Sequence, residues 1–385
     1  MTTNVTSIAR IRTAARQRAD RVRVNSRTTT LLLLVAVVLV VIGLGATMSA
    51  SSTVGIAQTA DRLHFFKRQL IGVGIGVVAM MVTARVPYRH YRVMALPMYL
   101  LTAVAMIAVL VVGVEGGGAR RWISLGGFNF QPSELAKFSV VVLLAVLMER
   151  KYRRLHTVGH FVVPVVFVVG IMGALVMAQP DLGTTILIAT AALAVLWVSP
   201  APARYVISLA VGAVLVAGVL AVAADYRIDR ITGFLDPWSN SSTEGYQLIQ
   251  GYYALGDGGL FGVGLGASRA RWFYLPNAHT DFIFAIIGEE TGLVGAMTVI
   301  GLFAVLGVVG WMVAGRAPDR LGRMLAAGIT AWLSVQALTN IGGVLGAIPI
   351  TGIALPFVSF GSTALIMSMA ALGVLVNISQ QGGKR

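Results

Sequence analysis

The sequence predicts an all-α polytopic membrane protein: about ten transmembrane helices, N- and C-termini cytoplasmic, and a large extracytoplasmic loop between helices 7 and 8. Three observations lead there. Hydrophobic residues make up 57% of the 385-residue chain and charged residues only 12%, with a mean hydropathy of +0.82, more apolar surface than a soluble core of this size needs. Apolar windows near the ~20 residues that a helix needs to cross ~30 Å of hydrocarbon fall at 31–49, 69–86, 94–114, 134–149, 161–178, 183–199, 205–224, 282–312, 325–347 and 357–379. The basic residues are lopsided: with the N-terminus inside, twenty of the thirty Lys and Arg fall on the cytosolic side, nine on the other, and Lys137 lies within a span, the asymmetry of the positive-inside rule. The net charge of +15 is mostly this topology signal, so no nucleic-acid partner is expected. With no Cys there are no disulfides or thiolate nucleophiles, and five scattered His form no metal motif.

In chain order, residues 1–28 read as a basic cytosolic tail, and residues 29–379 as the ten-helix domain, followed by a short cytosolic tail at 380–385. The apolar run after the tail is too long for a signal-peptide core, so it reads as an uncleaved first span. The tail fixes orientation, with contact to anionic lipid or a partner as a second role. Gly72 and Gly76 in the second span have the GxxxG spacing that lets helices pack closely, within the chain or with a partner. The second outer loop, GGGARRWISLGGFNFQPSELAK, feeds Glu134 and Lys137 into the fourth span. Gln179, Pro180 and Asp181 make the short outer turn between the fifth and sixth spans.

Residues 225–281 form an outer loop out of proportion to the other connections, and long ordered loops are usually functional. It carries charges (Asp225, Arg227, Asp229, Arg230, Asp236, Glu244, Asp257, Arg269, Arg271) and aromatics (Trp238, Tyr246, Tyr252, Tyr253, Trp272, Phe273, Tyr274) suited to an element lying on the headgroups. A glycine series runs from Gly256 to Gly266; its GVGLG segment has no βαβ context and reads as tight turns for close backbone approach. The window at 282–312 is long enough to begin outside the bilayer or to tilt. Between the last two spans, Pro349 and Pro356 shape a turn, and Ser359, Ser362 and Thr363 are placed to hydrogen-bond neighbouring helices.

Charge at membrane depth needs a reason, because a carboxylate in hydrocarbon is costly unless it faces a polar cavity or a partner. The stretch PNAHTDFIFAIIGEE puts Asp281 at the mouth of the eighth span and Glu289 and Glu290 inside it. Asp281 and Thr280 stand where a helix N-cap falls, which is one reading. The other is that an Asp at an apolar mouth has its pKa raised toward that of a general base. Glu289 and Glu290 point to different faces, so at most one need be functional. Glu134 and Lys137 are i,i+3 on one face: they neutralise each other, or Lys137 with Arg121 above it binds an anion such as a phosphate. Asp181 is either an N-cap or a cavity residue.

The segments ARRWI (Ala119–Ile123), QPSELAK (Gln131–Lys137), QPDLGTT (Gln179–Thr185), LPNAHTDFIFAIIGEE and PITGIALPFVSFGS (Pro349–Ser362) resemble the SEDS family, the FtsW/RodA/SpoVE group, in order and over nearly the whole chain. The resemblance implies a peptidoglycan glycosyltransferase that polymerises lipid II at the outer face of a bacterial cytoplasmic membrane, with Asp281 as its essential acid, the base for the acceptor hydroxyl. It implies pyrophosphate handling by Arg121 and Lys137, with Glu134, Asp181, His279, Thr280, Glu289 and Ser359 as further substrate-site candidates. A divalent cation, Mg or Mn, is implied as a helper, with no ligand set legible. Implied partners are a class B penicillin-binding transpeptidase, whose single helix would dock on spans such as the eighth and ninth, and other division-complex membrane proteins at the septum. The basic N-terminal extension and the AHTDF wording lean to the division branch over the elongation branch. Ser359-Phe360-Gly361-Ser362-Thr363 has one glycine fewer than the family's usual pattern. A lipid II flippase and a non-catalytic division scaffold are the other function classes these charges admit.

Overall fold

The computed structural model describes residues 3–116, 119–126, 128–243, 245–270, 272, 275–276 and 278–381, with side chains from Ser26 onward. Lys384, Arg385, the side chains of the tail arginines through Arg23, and Glu244, Arg271, Phe273 and Tyr274 of the long loop therefore lie outside the description.

Each of the ten apolar windows contains a helix: α1 (Thr3–Thr59), α2 (His64–Arg85), α3 (Tyr91–Val112), α4 (Pro132–Arg150), α5 (Val158–Met177), α6 (Leu182–Trp197), α7 (Ala203–Val222), α10 (Ile283–Arg316), α11 (Arg320–Val344) and α12 (Ser362–Gln381). Eight are long and apolar enough to cross a membrane. The two others are α6, with only 16 residues, and α4, which carries Glu134, Lys137, Glu149 and Arg150. Helix α4 keeps Glu134 and Lys137 because nearly all of it is buried among other helices, α3, α6 and α11 foremost, while Glu149 and Arg150 lie at its accessible end. Helices α11 and α12 are also mostly interior, whereas α7 is almost entirely on the outside.

The structure adds to the sequence reading in three places and shifts it in a fourth. The second outer loop is an antiparallel sheet of β1 (Val114–Gly116), β2 (Ala119–Leu125) and β3 (Phe128–Phe130), with Ile123 opposite Phe130. The long loop contains two helices, α8 (Asp225–Leu235) and α9 (Tyr246–Gly258). Helix α10 is broken at Gly292, whose φ of 67° and ψ of −165° only glycine adopts cheaply. The last span starts at Ser362, since residues 357–361 form a turn after Pro356.

The basic loops gather at one end of the bundle: Arg89 pairs with Asp319 at 3.0 Å and Arg92 with Glu149 at 2.7 Å, while Arg320 lies 4.2 Å from the Tyr152 ring. The positive-inside rule expects such an end on the cytosolic side; Asp281 stands at the opposite end of α10. The GxxxG pair serves packing within the chain: a Cβ at Gly72 would touch Ser362 and one at Gly76 would strike the Met369 sulfur. Polar sutures reinforce this α2–α12 contact, with Thr83 donating to the Ala370 carbonyl at 2.8 Å and Asn377 to that of Ala84 at 2.7 Å.

Gly373 lies against the Met80 carbonyl and the Thr83 hydroxyl, leaving no space for a methyl, whereas nothing comes within 4 Å of a Cβ at Gly301. Gly373→Ala therefore lowers stability by ~1–3 kcal/mol, the usual range for overpacking, seen as a reduced Tm of detergent-solubilised protein. Gly301→Ala leaves the Tm unchanged or slightly raised.

Candidate active site

Helix α10 begins at Ile283 with Phe282 as N-cap residue, and no side chain caps it. Asp181 and Asp319 behave differently: the first accepts from the Thr184 amide and the second from the Gly322 amide, each at 2.9 Å. Asp181 thus takes its capping alternative, and Asp281 does not. The Asp281 carboxylate accepts from the Thr280 hydroxyl at 3.0 Å and borders a cavity of about 110 Å³ lined also by Arg230, Gly233, Phe234, Gln247, Leu248, Ile350 and Gly352. That is smaller than the ~300–1,000 Å³ of a site enclosing a whole ligand, so it holds only part of one. The residue is half-buried, and packing around its carboxyl pushes the pKa up to about 6, against a weaker opposing pull from the Thr280 hydroxyl and the Arg230 cation.

Two amides on one face of α11 fix the walls. Asn340 donates from Nδ2 to the Asp281 carbonyl at 2.7 Å and to the Ile353 carbonyl at 2.8 Å. One turn earlier, Gln336 donates to the Ala354 carbonyl at 2.8 Å while its Oε1 accepts from Lys137 Nζ at 2.8 Å and Trp332 Nε1 at 2.7 Å. Lys137 also pairs with Glu134 at 2.8 Å and lies 5.1 Å from the Trp332 ring. Of the two alternatives for Glu134 and Lys137, the ion pair is the one present, and it reaches the cavity wall through Gln336. Arg121, on β2, donates to the carbonyls of Gln179 at 2.9 Å and Pro180 at 2.7 Å, bracing the α5–α6 turn.

The remaining candidates hold backbone. His279 sits between the rings of Phe65 (4.9 Å) and Phe360 (5.6 Å), and its carbonyl accepts from the Phe360 amide at 2.9 Å. Burial lowers its imidazole pKa to about 4, so it is neutral at pH 7. The Ser359 hydroxyl accepts from the Leu355 amide at 2.8 Å, and its carbonyl accepts from Gln69 at 3.0 Å. Glu289 is deeply buried and accepts from the Ser268 hydroxyl, from the Arg269 amide at 2.7 Å and from the Ala270 amide at 3.4 Å; Glu290 accepts from the Ser49 hydroxyl. Both glutamates flank the break in α10, where the glycine series pairs with the helix backbone: Val263 and Gly264 donate to the Glu289 and Glu290 carbonyls, and Leu293 and Val294 donate to those of Gly259 and Leu260. A side chain at Gly262 would collide with the Glu290 carbonyl.

Of the candidates only Asp281 lines the cavity, with Thr280 joined to it through the hydrogen bond to its carboxylate; Arg121, Glu134, Lys137, Asp181, His279, Glu289 and Ser359 do not line it. Sequence reasoning did not assign Arg230, Gln247, Asn340 or Gly352 to the site; Arg230 was visible only as one charge among many in the long loop.

The sequence profile of the cell cycle protein family FtsW/RodA/SpoVE matches residues 29–384. The chain belongs to this family. A probable peptidoglycan glycosyltransferase FtsW of Geobacter metallireducens is 37% identical over 333 residues, 86% of this chain and 89% of that protein. The stage V sporulation protein E of Bacillus subtilis is 39% identical over 343 residues, 88% and 93% of the two chains. Among solved structures, a chain from a peptidoglycan synthase complex that coordinates polymerisation and crosslinking superposes with a TM-score of 0.73 at 26% identity, covering 91% of this chain and 97% of the other. The rod shape determining protein RodA of Thermus thermophilus gives a TM-score of 0.67 at 27% identity, with 91% and 96% covered. Like these FtsW/RodA/SpoVE structures, the chain is a polytopic helical membrane protein.

Replacing Glu289 by Gln puts an amide where two backbone N–H groups and a hydroxyl need an acceptor, at ~1–3 kcal/mol for a buried bond lost. Glu289→Gln is expected to accelerate hydrogen exchange across residues 259–270 while exchange in α12 stays unchanged.

Proposed function

We infer that this membrane protein is a peptidoglycan glycosyltransferase that polymerises lipid II into β-1,4 glycan strands for cell division, with Asp281 as its general base. One observation carries the assignment of the base: Asp281 stands at a helix start without capping it, in a cavity that raises its pKa to about 6. A carboxylate so placed is mostly ionised at neutral pH yet basic enough to accept a proton.

In the reaction, the Asp281 carboxylate takes the proton of the acceptor sugar's 4-hydroxyl as that oxygen attacks the anomeric carbon of the donor. The C–O bond to the polyprenyl diphosphate breaks, and its electron pair leaves with the diphosphate. A single displacement inverts the anomeric centre and yields the β linkage. Asn340 and Gly352 act on geometry: the first ties the Asp281 carbonyl to Ile353, and the second, at φ +69°, brings bare backbone near Asp281 Oδ2, 3.8 Å from where a Cβ would stand.

Among the described residues no three His, Asp or Glu side chains converge to hold a metal ion. The described residues thus hold no such cluster for the Mg or Mn that the family resemblance implies. The likeness to a synthase complex that couples polymerisation to crosslinking supports a transpeptidase partner of the class B penicillin-binding type. The exposed apolar residues Leu293, Val294 and Met297 of α10 and Leu338 of α11 suit a docked single helix. The FtsW relatives support a place at the division septum.

Removing the base is expected to lower polymerisation of lipid II by ~10²–10⁴-fold in Asp281→Asn and Asp281→Ala, with both variants folded by thermal shift and turnover read as glycan on gels. Wild-type activity in either variant would sink the assignment. In wild type, kcat/KM should rise with pH through about 6 and level off above it, because the base works only when deprotonated.

A further inference from the structure

The leaving group of this reaction is a diphosphate, and it departs from a cavity whose working residue is itself an anion. A preorganised cation at that point lowers the cost of the charge that develops as the bond breaks. The basic residues singled out by family resemblance are not placed for it: Lys137 is 1% exposed and held between Glu134 and Gln336, and Arg121 donates to two carbonyls and does not line the cavity.

Arg230 is placed for it. It lies on α8, lines the same 110 Å³ cavity as Asp281, and acts on that carboxyl as a nearby positive charge. Among the described residues no hydrogen bond or ion pair engages its guanidinium, which lies 6.0 Å from the Tyr226 ring. Arg227, one turn earlier, is committed to the Leu220 carbonyl and the Tyr226 hydroxyl. The cavity also has a polar amide, Gln247, held by the Pro276 carbonyl at 3.0 Å. A planar guanidinium with free N–H groups suits bidentate binding of phosphate oxygens.

We propose that Arg230 is the anion-binding residue of the active-site cavity and that it holds the diphosphate of the polyprenyl-linked sugar donor. This rests on the glycosyltransferase reading above. The diphosphate is favoured over a stem-peptide carboxylate because the bond that breaks is one carbon away from the acceptor oxygen that Asp281 deprotonates, so the departing phosphate passes within reach of a long cationic side chain that borders the same small cavity. A peptide tail does not fit in the same volume.

The test is binding without turnover. Full-length protein in phosphatidylcholine nanodiscs is titrated with farnesyl diphosphate, farnesyl phosphate and farnesol. Wild type should bind the diphosphate most tightly. Arg230→Ala should lose about tenfold in diphosphate affinity, or ~1.4 kcal/mol, with farnesol binding unchanged, and Arg230→Lys should recover part of the loss. In lipid II polymerisation, Arg230→Ala should also move the acid limb of the pH profile upward, since a cation near Asp281 is gone. Unchanged diphosphate binding in Arg230→Ala, or equal loss of all three ligands, overturns the proposal. So does competition by soluble muramyl pentapeptide that Arg230→Ala abolishes while diphosphate binding stays intact. Loss of diphosphate binding in Arg230→Ala alongside full activity in Asp281→Asn would overturn the choice of base and leave Arg230 in place.

Discussion

The outer half of this protein depends on one buried carboxylate. Glu289 lies inside α10 and accepts hydrogen bonds from Ser268, Arg269 and Ala270 of the long loop. An unpartnered charge at that depth would be strongly unfavourable, so the loop and the helix need each other: the loop's donors solvate the glutamate, and the glutamate fixes the loop. The break at Gly292 extends the same clamp, because it frees backbone groups that the glycine-rich strand from Gly259 to Gly264 then pairs. With residues 259–270 anchored, the chain returns through Leu275 and Ala278, both buried, to set Asp281 at the mouth of α10.

A second polar line supports the opposite wall of the cavity. It runs from Glu134 through Lys137 and Gln336 to the Ala354 carbonyl, and from Asn340 to Ile353 and Asp281. Buried ion pairs seldom add net stability, but their hydrogen bonds to neighbouring helices define geometry. Here the pair lies in α4, a helix that is almost wholly enclosed, and its extra bonds end on the turn that faces Asp281. This gives Lys137 a way to matter for activity without touching substrate.

Much of the architecture was legible in the sequence because bilayer physics is local. Twenty apolar residues form a helix whatever surrounds them, and all ten windows hold one. Asp281 stood out for the same reason, since charge at the edge of an apolar run needs an explanation. The GVGLG segment was rightly read as close backbone approach. Which alternative each polar residue takes was not legible, since that depends on partners distant in sequence: Lys137 on Gln336, Arg121 on Gln179, and Glu289 on Ser268. Arg230 and Asn340 were hidden because their roles come from the placement of α8 and α11 around Asp281, which no local pattern encodes. The break at Gly292 was missed because a single glycine in an apolar helix is ordinarily tolerated.

The central claim is that packing at the mouth of α10, without helix capping, makes the Asp281 carboxyl a usable base. Isotope-edited infrared titration of the Asp281 carboxyl in the membrane-embedded protein tests it most directly. A carboxyl-to-carboxylate midpoint near 6 is the predicted result. A midpoint at the ordinary aspartate value of about 3.9 would contradict the account, because a carboxylate that weakly basic has no advantage in taking the acceptor proton.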